Sequence, residues 1–278
     1  MPAIADHAID RSDDFYKEAG VSRLHNKDHF DPADVQAGDI IYVKTDYIFH
    51  PYFQNEILPK IKNPFKLISG ISSYHIGSNG DLSYQQILQN PNLIKWSCTN
   101  PPDILHDKII PLPIGFEEKE RAGGDQSLII SHNEQSTAHQ NKKKKILLPY
   151  HTFNTNPERQ KCFEVLSKLP FVDTQRNKLG WSEYMNLLNE YQFVICLEGS
   201  GPDVHRNYEC LAVGTIPINL HNTIYNLFSY HHIPGIFLNT WDELTEEKFN
   251  QISNTPYNME NVDKFLKIDY HLNLLRGD

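Results

Sequence analysis

The sequence has few cysteines, no long apolar run and no excess of basic residues. Its 278 residues include four cysteines, none in a CxxC pair or at metal-ligand spacing from a histidine, which predicts free thiols in a reducing compartment. No apolar stretch reaches the length of a membrane helix. The net charge of −9 argues against nucleic acid as the main partner, because phosphate binding requires a basic surface.

The N-terminal segment, MPAIADHAIDRSDDFYKEAG, lacks the basic region and apolar core of a secretory signal. The absence of both a signal and a membrane helix predicts a cytoplasmic, unanchored protein. The polar N-terminal segment itself predicts a helix or a loosely packed arm.

One polar segment suggests how the chain is divided. Residues 117–145 are rich in Gly, Ser, Gln, Asn and charge, which is typical of a linker or a long surface loop. We therefore predict an N-terminal domain over residues 1–135 and a C-terminal domain over residues 136–278, with the last helix able to pack back on the N-terminal domain. The four lysines at 142–145 are interpreted as the solvated flank of the next strand rather than as a nucleic-acid patch.

Both halves alternate short apolar runs with segments of helical character. Apolar runs separated by helices predict parallel sheets covered on both faces. The fold class is therefore α/β, with two Rossmann-like doubly wound domains and a cleft between them, and ligands are expected outside the carboxyl ends of the strands. The predicted strands are residues 39–46, 65–70, 93–98, 108–115, 145–150, 171–173, 193–197, 215–220 and 235–239.

The segment FVICLEGSGPDVHRNYECLAVGTIPINL, residues 193–220, places a small-residue loop and a charged helix between two strands. Asp203 is predicted to cap that helix. The backbone of Gly199–Gly201 and the Arg206 guanidinium would then surround one spot at the strand edge, which suits an anionic phosphate. Glu209, three residues after Arg206, could accept hydrogen bonds from a sugar diol. The alternative is an Arg206–Glu209 surface pair that contributes little stability.

These residues resemble a known family. The stretch YQFVICLEGSGPDVHRNYECLAVGTIPI is similar to the C-terminal signature of exostosin-type glycosyltransferases, in which a strand, a Gly-containing loop, an Arg, an aromatic-Glu step and a GxIPI strand follow one another. YHTFNTNPERQKC, residues 150–162, resembles the upstream element, where an Arg near a helix start meets the donor diphosphate. IIYVKTD, KLISG, LIKWSCTN and KIIPLPIG resemble the acceptor half of small soluble relatives, including transferases of large algal viruses.

The resemblance implies a GT-B architecture that moves a sugar, with xylose as the best guess, from a UDP-sugar to a glycan hydroxyl, by inversion and without a metal or other cofactor. In agreement, no DxD motif lies at a strand end, and SDD at residues 12–14 falls in the polar arm. A viral source would place the protein in the host cytoplasm. Arg206 and Arg159 would neutralise the diphosphate and Glu209 would bind the ribose. The predicted donor site comprises Tyr150, Asn154, Arg159, Gly199, Ser200, Gly201, His205, Arg206 and Glu209.

An inverting transfer also requires a base that removes the proton of the acceptor hydroxyl. Asp46 and His50, after the first predicted strand, and His75, after the second, are candidates. Relatives carry an Asp where this chain has Ser73, and this departure leaves the base open between His75 and Asp46.

Two functions from other classes stay as alternatives. The first is a non-catalytic two-domain protein that closes on a sugar or an anion. The second is a dinucleotide-dependent oxidoreductase, which the sheet pattern permits although the GxGxxG fingerprint is missing.

Overall fold

The computed structural model describes residues 4–9, 30–119 and 121–277. The chain forms two compact units, one of Met1–Pro113 with His271–Asp278 and one of Ile114–Tyr270. Each unit contains one five-stranded parallel sheet, so the predicted α/β class with two Rossmann-like sheets is confirmed. The division at Pro113 comes earlier than the predicted boundary after residue 135, because Ile114 and Phe116 pack into a core of the second unit.

The sheet of the first unit follows the order of the chain, β1-β2-β3-β4-β5. Successive strand residues point to opposite faces, so Ile41 and Val43 join one core while Ile40 and Tyr42 join another, to which Leu275 of the last helix contributes. Burial on both faces explains why the strands are apolar throughout. The strands are β1 (His7–Ile9), β2 (Ile40–Lys44), β3 (Phe65–Gly70), β4 (Leu93–Cys98) and β5 (Ile109–Pro111).

Short helical segments connect these strands. The first unit contains α1 (Thr45–Ile48), a π-helical turn (Phe53–Ile57), α2 (Ser83–Leu88), and 3-10 turns at Pro32–Asp34, Leu58–Lys60 and Ser78–Gly80. The predicted N-terminal arm is in part a strand, because β1 pairs in parallel with β2. The SDD motif at residues 12–14 lies outside the described residues.

The sheet of the second unit has the order β10-β9-β8-β6-β7. The chain runs outward from β6 to β7 and then returns to the other side of β6 with β8. The strand order therefore reverses between β6 and β8, which is the topological switch point where open parallel sheets bind ligands. The strands are β6 (Lys143–Leu148), β7 (Val172–Thr174), β8 (Tyr191–Ile195), β9 (Ile216–Leu220) and β10 (Ile236–Leu238).

Helices cover this second sheet, and the last one passes into the first unit. They are α3 (Gln126–Glu134), α4 (Glu158–Leu166), α5 (Trp181–Glu190), α6 (Arg206–Ala212), α7 (Thr223–His231), α8 (Glu246–Asn254), α9 (Val262–Phe265) and α10 (Ile268–Arg276). Among the helices of the described residues, none is long and apolar enough to cross a membrane.

The predicted linker over residues 117–145 is wrong in part, because it contains α3. The polar composition of this segment reflects a largely exposed helix that begins after Asp125. The Asp125 carboxylate caps it by accepting from the N–H groups of Ser127, at 2.9 Å, and Leu128, at 3.4 Å.

The predicted cap of α6 is wrong, and α5 begins without a side-chain cap. Helix α5 starts at Trp181, and its cap residue is Gly180, whose N–H donates to Glu183 Oε2 at 3.1 Å. Asp203 does not cap α6, which begins at Arg206. The buried Asp203 carboxylate instead accepts the Ile114 N–H at 2.9 Å and a short hydrogen bond from the Tyr208 hydroxyl.

The four-lysine run is not a uniformly solvated flank. Lys142 is 6% exposed, and its ammonium donates to Asn189 O, Asn189 Oδ1 and Val213 O at 2.7, 2.6 and 2.7 Å. Burial lowers the pKa of Lys142 to about 8. Lys143 and Lys145 instead form ion pairs with Glu190 and Asp173, each at 2.5 Å. The four cysteines are free, as predicted.

Candidate functional site

The candidate site lies at the switch point of the second unit. Strand β6 ends at Leu148 and strand β8 ends at Ile195, and these neighbouring strands are parallel. Their following loops, residues 149–157 and 196–205, therefore leave the sheet at the same edge. Arg159 lies at the start of α4, after the first loop, and Arg206 opens α6, after the second.

The Arg206 guanidinium is held by three neutral groups. Its Nε donates to the Tyr184 hydroxyl at 2.9 Å, its Nη2 donates to Tyr150 O at 3.0 Å, and its Nη1 donates to His151 Nε2 in a short hydrogen bond. The guanidinium also lies 5.7 Å from the centre of the Tyr184 ring. A guanidinium has five N–H donors, and these contacts use three of them.

The Arg159 guanidinium is held mainly by backbone carbonyls. Its Nε donates to Glu198 O at 2.6 Å and its Nη2 to Leu197 O at 3.2 Å. Its Nη1 donates to Thr152 O at 3.2 Å and to Thr155 Oγ1 at 3.0 Å. These contacts fix the guanidinium across the ends of both loops without neutralising its charge.

The charges of the two arginines act on each other, and neither arginine forms a direct ion pair within the described residues. Within the described parts of the chain, no carboxylate forms an ion pair with either guanidinium. Burial and the charge of Arg206 both lower the pKa of Arg159, which shows that the two cations repel. Burial and the charges of Arg206 and Arg159 also hold the pKa of His151 far below its usual range. The two half-buried guanidinium groups thus outweigh the single carboxylate that acts on Arg206, that of Glu209, and the site is net positive.

His151 has one defined tautomer in this arrangement. Its ring is buried, and its Nδ1 lies 2.6 Å from Pro149 O, to which it donates. The other ring nitrogen, Nε2, therefore carries a lone pair that accepts from Arg206. We refer to Arg159, Arg206 and His151 together as the arginine site.

Glu209 is linked to Arg206 through a tyrosine. The Tyr184 hydroxyl accepts from Arg206 Nε and donates to Glu209 Oε2 at 3.0 Å, while Trp181 Nε1 donates to Glu209 Oε1 at 3.3 Å. Burial raises the pKa of Tyr184 well above its usual value, so the hydroxyl keeps its proton. Glu209 is 7% exposed. The alternative of a solvent-exposed Arg206–Glu209 pair is therefore wrong.

The glycine loop packs against Arg159. A Cβ atom on Gly199 would lie 3.2 Å from Arg159 Nη2, so the close approach depends on glycine. The Gly199 N–H donates to Gly201 O at 3.1 Å within a tight turn, and Ser200 is exposed. This use of the Gly199 N–H inside the loop differs from the expectation that the amide would face a phosphate.

The remaining predicted donor residues lie around the arginine site in different ways. His205 Nδ1 lies 2.7 Å from Gly115 O, so its ring is tied to the start of the second unit. Tyr150 contributes its carbonyl to Arg206, and Asn154 is exposed in the loop after β6. The neighbouring Asn156 Nδ2 donates to Gly199 O at 3.3 Å and joins the two loops.

The predicted catalytic residues lie at the carboxyl edge of the first sheet, with Asp46 in α1 directly after β2, and Ser73 and His75 in the loop after β3. Lys44 Nζ is 3.0 Å from Asp46 Oδ2, and Ser72 Oγ donates to Asp46 Oδ1 at 3.1 Å. His75 is turned elsewhere, with Nε2 3.3 Å from Asp103 Oδ1. Ser73 is exposed beside Ser72.

Two further details concern this edge of the first unit. His50 Nδ1 accepts from the Tyr52 N–H at 3.2 Å. Ile71, which precedes Ser72, has a φ of 56° and is 59% exposed. A β-branched residue in the left-handed region is an outlier of the kind found in loops with functional constraints.

His151 and Tyr184 were missed by the sequence interpretation. His151 is 55 residues before Arg206 and Tyr184 is 22 residues before it, so no local motif connects them. A signal did exist for His151, because it directly follows Tyr150 in the upstream element. No comparable signal marks Tyr184, which belongs to the apolar pattern of α5.

No family model matches the chain, and no curated protein matches it significantly. Among the described residues, no group of three or more His, Cys, Asp or Glu side chains is arranged to hold a metal ion.

Proposed function

We propose that the protein is a glycosyltransferase that uses a UDP-sugar and transfers the sugar, with xylose as the first candidate, to a glycan hydroxyl. In this proposal the two Rossmann-like units form a GT-B pair. The second unit binds the nucleotide-sugar and the first binds the acceptor. The proposal includes inversion at the anomeric carbon and no requirement for a metal.

The observation that carries the proposal is the pair of half-buried arginines, neither of which forms a direct ion pair within the described residues. Arg159 and Arg206 sit at the switch point of a parallel sheet and repel each other, and neutral acceptors fix both. A diphosphate would supply the missing negative charge, and the planar guanidinium matches phosphate oxygens through paired hydrogen bonds. Orientation by neutral acceptors before a ligand arrives favours binding, because little reorganisation is needed.

The same arrangement suits the departure of a nucleoside diphosphate. During transfer, the acceptor oxygen forms a bond to the anomeric carbon and the bond from that carbon to the diphosphate oxygen breaks. The electron pair leaves on the UDP, and Arg159 and Arg206 stabilise its charge in the transition state. A neutral His151 accepts from Arg206 without adding a third cation.

Glu209 is the proposed partner of the ribose. Its carboxylate accepts two hydrogen bonds from Trp181 and Tyr184, and an ionised carboxylate has about four acceptor positions. Two positions are therefore left for a diol. The Tyr184 hydroxyl would couple the ribose partner to the diphosphate partner, since it touches both Glu209 and Arg206.

The proton of the acceptor hydroxyl would pass to a base in the first unit. Asp46 and His75 both stay candidates, and the contacts of Asp46 favour it in one respect. Ser72 donates to one of its oxygens and Lys44 pairs with the other, which orients the carboxylate at the strand edge. Asp46→Asn and His75→Gln would be made as separate variants. The base is the residue whose replacement lowers turnover while the affinity for the donor stays unchanged.

A direct test uses calorimetry and product release on the full chain. We expect UDP to bind, and UMP and uridine to bind progressively more weakly, because each lacks a phosphate that the arginines would contact. We also expect diphosphate release from UDP-xylose to rise when a glycan acceptor is added. Absence of heat with UDP and every UDP-sugar, from folded protein, would remove the proposal.

The alternative of a non-catalytic sugar or anion binding protein uses the same arginine site. It predicts binding of UDP or of a smaller anion with no release of UDP from any donor in the presence of glycans. The release assay therefore separates the two functions.

A further inference from the structure

The loop after β8 contains a carboxylate that neither the diphosphate contacts nor the ribose contacts use. Glu198 follows the end of β8, and its main-chain oxygen accepts from Arg159 Nε at 2.6 Å. Its side chain lies toward the end of the next strand, where Asn222 Nδ2 donates to Glu198 Oε1 at 2.6 Å. Strands β8 and β9 are parallel neighbours, so both residues lie at the carboxyl edge of the sheet. Glu198 therefore connects the arginine site with the end of β9.

The Asn222 side chain fixes the orientation of this carboxylate. Asn222 caps α7, and its Oδ1 accepts from the Ile224 N–H at 2.8 Å. Because the amide oxygen faces a main-chain N–H, the amide nitrogen is the group that donates to Glu198. The cap holds Asn222 to the helix, and Asn222 in turn holds Glu198 Oε1. The position of the second carboxylate oxygen, Oε2, is thereby restricted as well.

This second oxygen is available to a ligand. Within the part of the chain that the structure describes, Asn222 is the only group that donates to the Glu198 carboxylate. Glu198 is half-buried, and its Oε2 is in contact with solvent. Over the same residues, no ion pair joins this carboxylate to Arg159 or Arg206. An oriented and accessible acceptor therefore lies beside the arginine site.

Glu198 and Glu209 lie toward opposite faces of the sheet. Helix α4 packs on one face and α5 on the other, because their apolar residues join different cores built on alternate residues of β6 and β8. Glu209 is bound by side chains of α5. The Glu198 carboxylate lies toward α4, where burial and the charges of Glu158 and Glu198 raise the pKa of Cys162. The arginine site thus has one carboxylate toward each face.

A UDP-sugar has the matching order of groups. Its diphosphate carries the ribose at one end and the transferred sugar at the other, and both rings present hydroxyl groups. With the diphosphate on Arg159 and Arg206 and the ribose on Glu209, the transferred sugar extends toward Glu198. Oε2 of Glu198 would then accept hydrogen bonds from the sugar hydroxyls.

An exposed pair of rings borders the same place. His221 directly precedes Asn222, and its ring stacks on Tyr225 with centroids 4.4 Å apart and an interplanar angle of 28°. His221 is exposed, and Tyr225 is 41% exposed. A flat ring surface beside a hydrogen-bond acceptor suits a sugar, which has hydroxyl groups at its rim and C–H groups on its face.

We propose that Glu198, oriented by Asn222, binds hydroxyls of the transferred sugar and restricts the donor to UDP-linked neutral sugars. A uronic acid would bring a second carboxylate close to Glu198, and two like charges in a partly buried site repel each other. This inference rests on the proposed glycosyltransferase function. It adds a specificity-determining residue and a substrate class, neutral sugars rather than uronic acids.

The test is calorimetry on the full chain with UDP, UDP-xylose, UDP-glucose and UDP-glucuronate. Glucose and glucuronate differ only at C6, so the last two ligands isolate the effect of the charge. We expect the wild type to bind UDP-glucuronate at least about tenfold more weakly than UDP-glucose. UDP lacks the transferred sugar, so its affinity measures the arginine site alone.

Glu198→Gln is the decisive variant, because it removes the charge and keeps the oxygen that accepts from Asn222. Relative to UDP, the affinity for UDP-glucuronate should rise about tenfold and that for UDP-glucose should stay within about threefold. Glu164→Gln is the matched control. Glu164 is exposed on α4, and its carboxylate likewise accepts from a side-chain amide, that of Gln160, at 3.1 Å. This control should leave all affinities within about twofold.

Asn222→Ser tests the positioning role without removing the carboxylate. A serine still caps α7, so the melting temperature should stay close to that of the wild type, but its shorter side chain no longer reaches Glu198. Relative to UDP, the affinity for UDP-xylose should fall by about fivefold, in line with the loss of one oriented hydrogen bond.

Two results would overturn the proposal. One is equal affinity of the wild type for UDP-glucuronate and UDP-glucose, and the other is an unchanged ratio of these affinities in Glu198→Gln, in each case with UDP bound. If UDP itself does not bind, the nucleotide-sugar function fails and this inference fails with it. The UDP titration therefore distinguishes the two failures.

Discussion

The second unit holds a cation at each edge of its sheet, one buried and one half-buried, and the two make different kinds of contact. Lys142, at the edge where strands begin, has three ammonium protons and three acceptors at 2.6–2.7 Å. Arg206, at the edge where strands end, has five N–H donors, and three of them are used. A positively charged neighbour, Arg159, repels Arg206, whereas the Lys142 ammonium donates to three carbonyl oxygens.

The difference separates a structural cation from a binding one. The Lys142 ammonium joins the end of α5 to the turn after α6, and no donor is left for a ligand. The Arg206 guanidinium is oriented by its contacts but keeps two donors and has no direct ion-pair partner among the described residues. Removal of Lys142 should therefore destabilise the fold, and removal of Arg206 should mainly weaken ligand binding.

The largest expected effect is the loss of UDP binding in Arg206→Met. Truncating a buried charge that contacts an anion costs about 2–5 kcal/mol, so affinity should fall by about 100-fold or more. The free energy of unfolding should fall by about 1–2 kcal/mol, because Tyr150 O and His151 Nε2 lose their donor while the repulsion with Arg159 is removed. Isothermal titration with UDP and urea unfolding of the same sample measure the two quantities.

Arg121→Met is the matched control for that variant. Arg121 belongs to the same unit, is exposed, and lies 3.5 Å from Glu117 in an exposed pair. Its replacement should leave UDP affinity within about twofold, because surface charges contribute little. Equal UDP affinity in the wild type and Arg206→Met would contradict the binding role.

The next effect is the loss of stability in Lys142→Met. The change leaves Asn189 O, Asn189 Oδ1 and Val213 O without their donor. The penalty for burying the ammonium charge disappears at the same time, so the net loss of stability should be about 1–3 kcal/mol. Lys143→Met, beside it, is the control and should stay within about 0.5 kcal/mol, because its pair with Glu190 is exposed. Urea unfolding compares them, and equal stabilities would show that Lys142 is not structural.

The sequence predicted the sheets well because their strands are buried on both faces. Residues such as Ile41, Val43, Ile146 and Ile218 form continuous apolar runs that need no tertiary information to be recognised. The edge at which Arg206 lies also followed from the sequence, since a loop after a parallel strand must leave at the carboxyl edge.

The contacts that distinguish the two cations could not be predicted. Lys142 meets Asn189 and Val213, which are 47 and 71 residues away along the chain. In a run of four lysines, only the three-dimensional neighbours decide which one is buried. The neutral state of His151 depends in the same way on burial beside two arginines from other elements.

A third prediction concerns acid, since His151 is buried and uncharged. Its folded pKa is far below its unfolded value, so below about pH 6.5 the unfolded chain binds a proton that the folded chain does not. Stability is therefore lost as pH falls, by up to about 2 kcal/mol between pH 6.5 and pH 5.0 from this group. Urea unfolding at both pH values should show a smaller acid loss in His151→Gln.

The control for the acid effect is His232→Gln. His232 is exposed at the end of α7, where its backbone is in the left-handed region. Any change in backbone strain caused by its replacement is the same at both pH values, so it cancels when the two stabilities are subtracted. Its replacement should leave the acid loss as in the wild type. An unchanged acid loss in His151→Gln would mean that His151 is charged when folded, which would add a third cation to the arginine site.

The smallest effect tests the link between Arg206 and Glu209. Tyr184→Phe removes the hydroxyl that accepts from Arg206 Nε and donates to Glu209 Oε2, while the ring still packs under the guanidinium. Loss of this buried hydrogen-bond link should weaken UDP binding by about 1 kcal/mol, or about fivefold. Tyr191→Phe is the control, because the Tyr191 hydroxyl contacts Asp173 at 3.1 Å instead.

A second ligand separates the two roles of the Tyr184 hydroxyl. If the hydroxyl couples the ribose and diphosphate partners, Tyr184→Phe should lower the affinity for UDP more than the affinity for inorganic pyrophosphate. Equal losses would show that Tyr184 only orients Arg206.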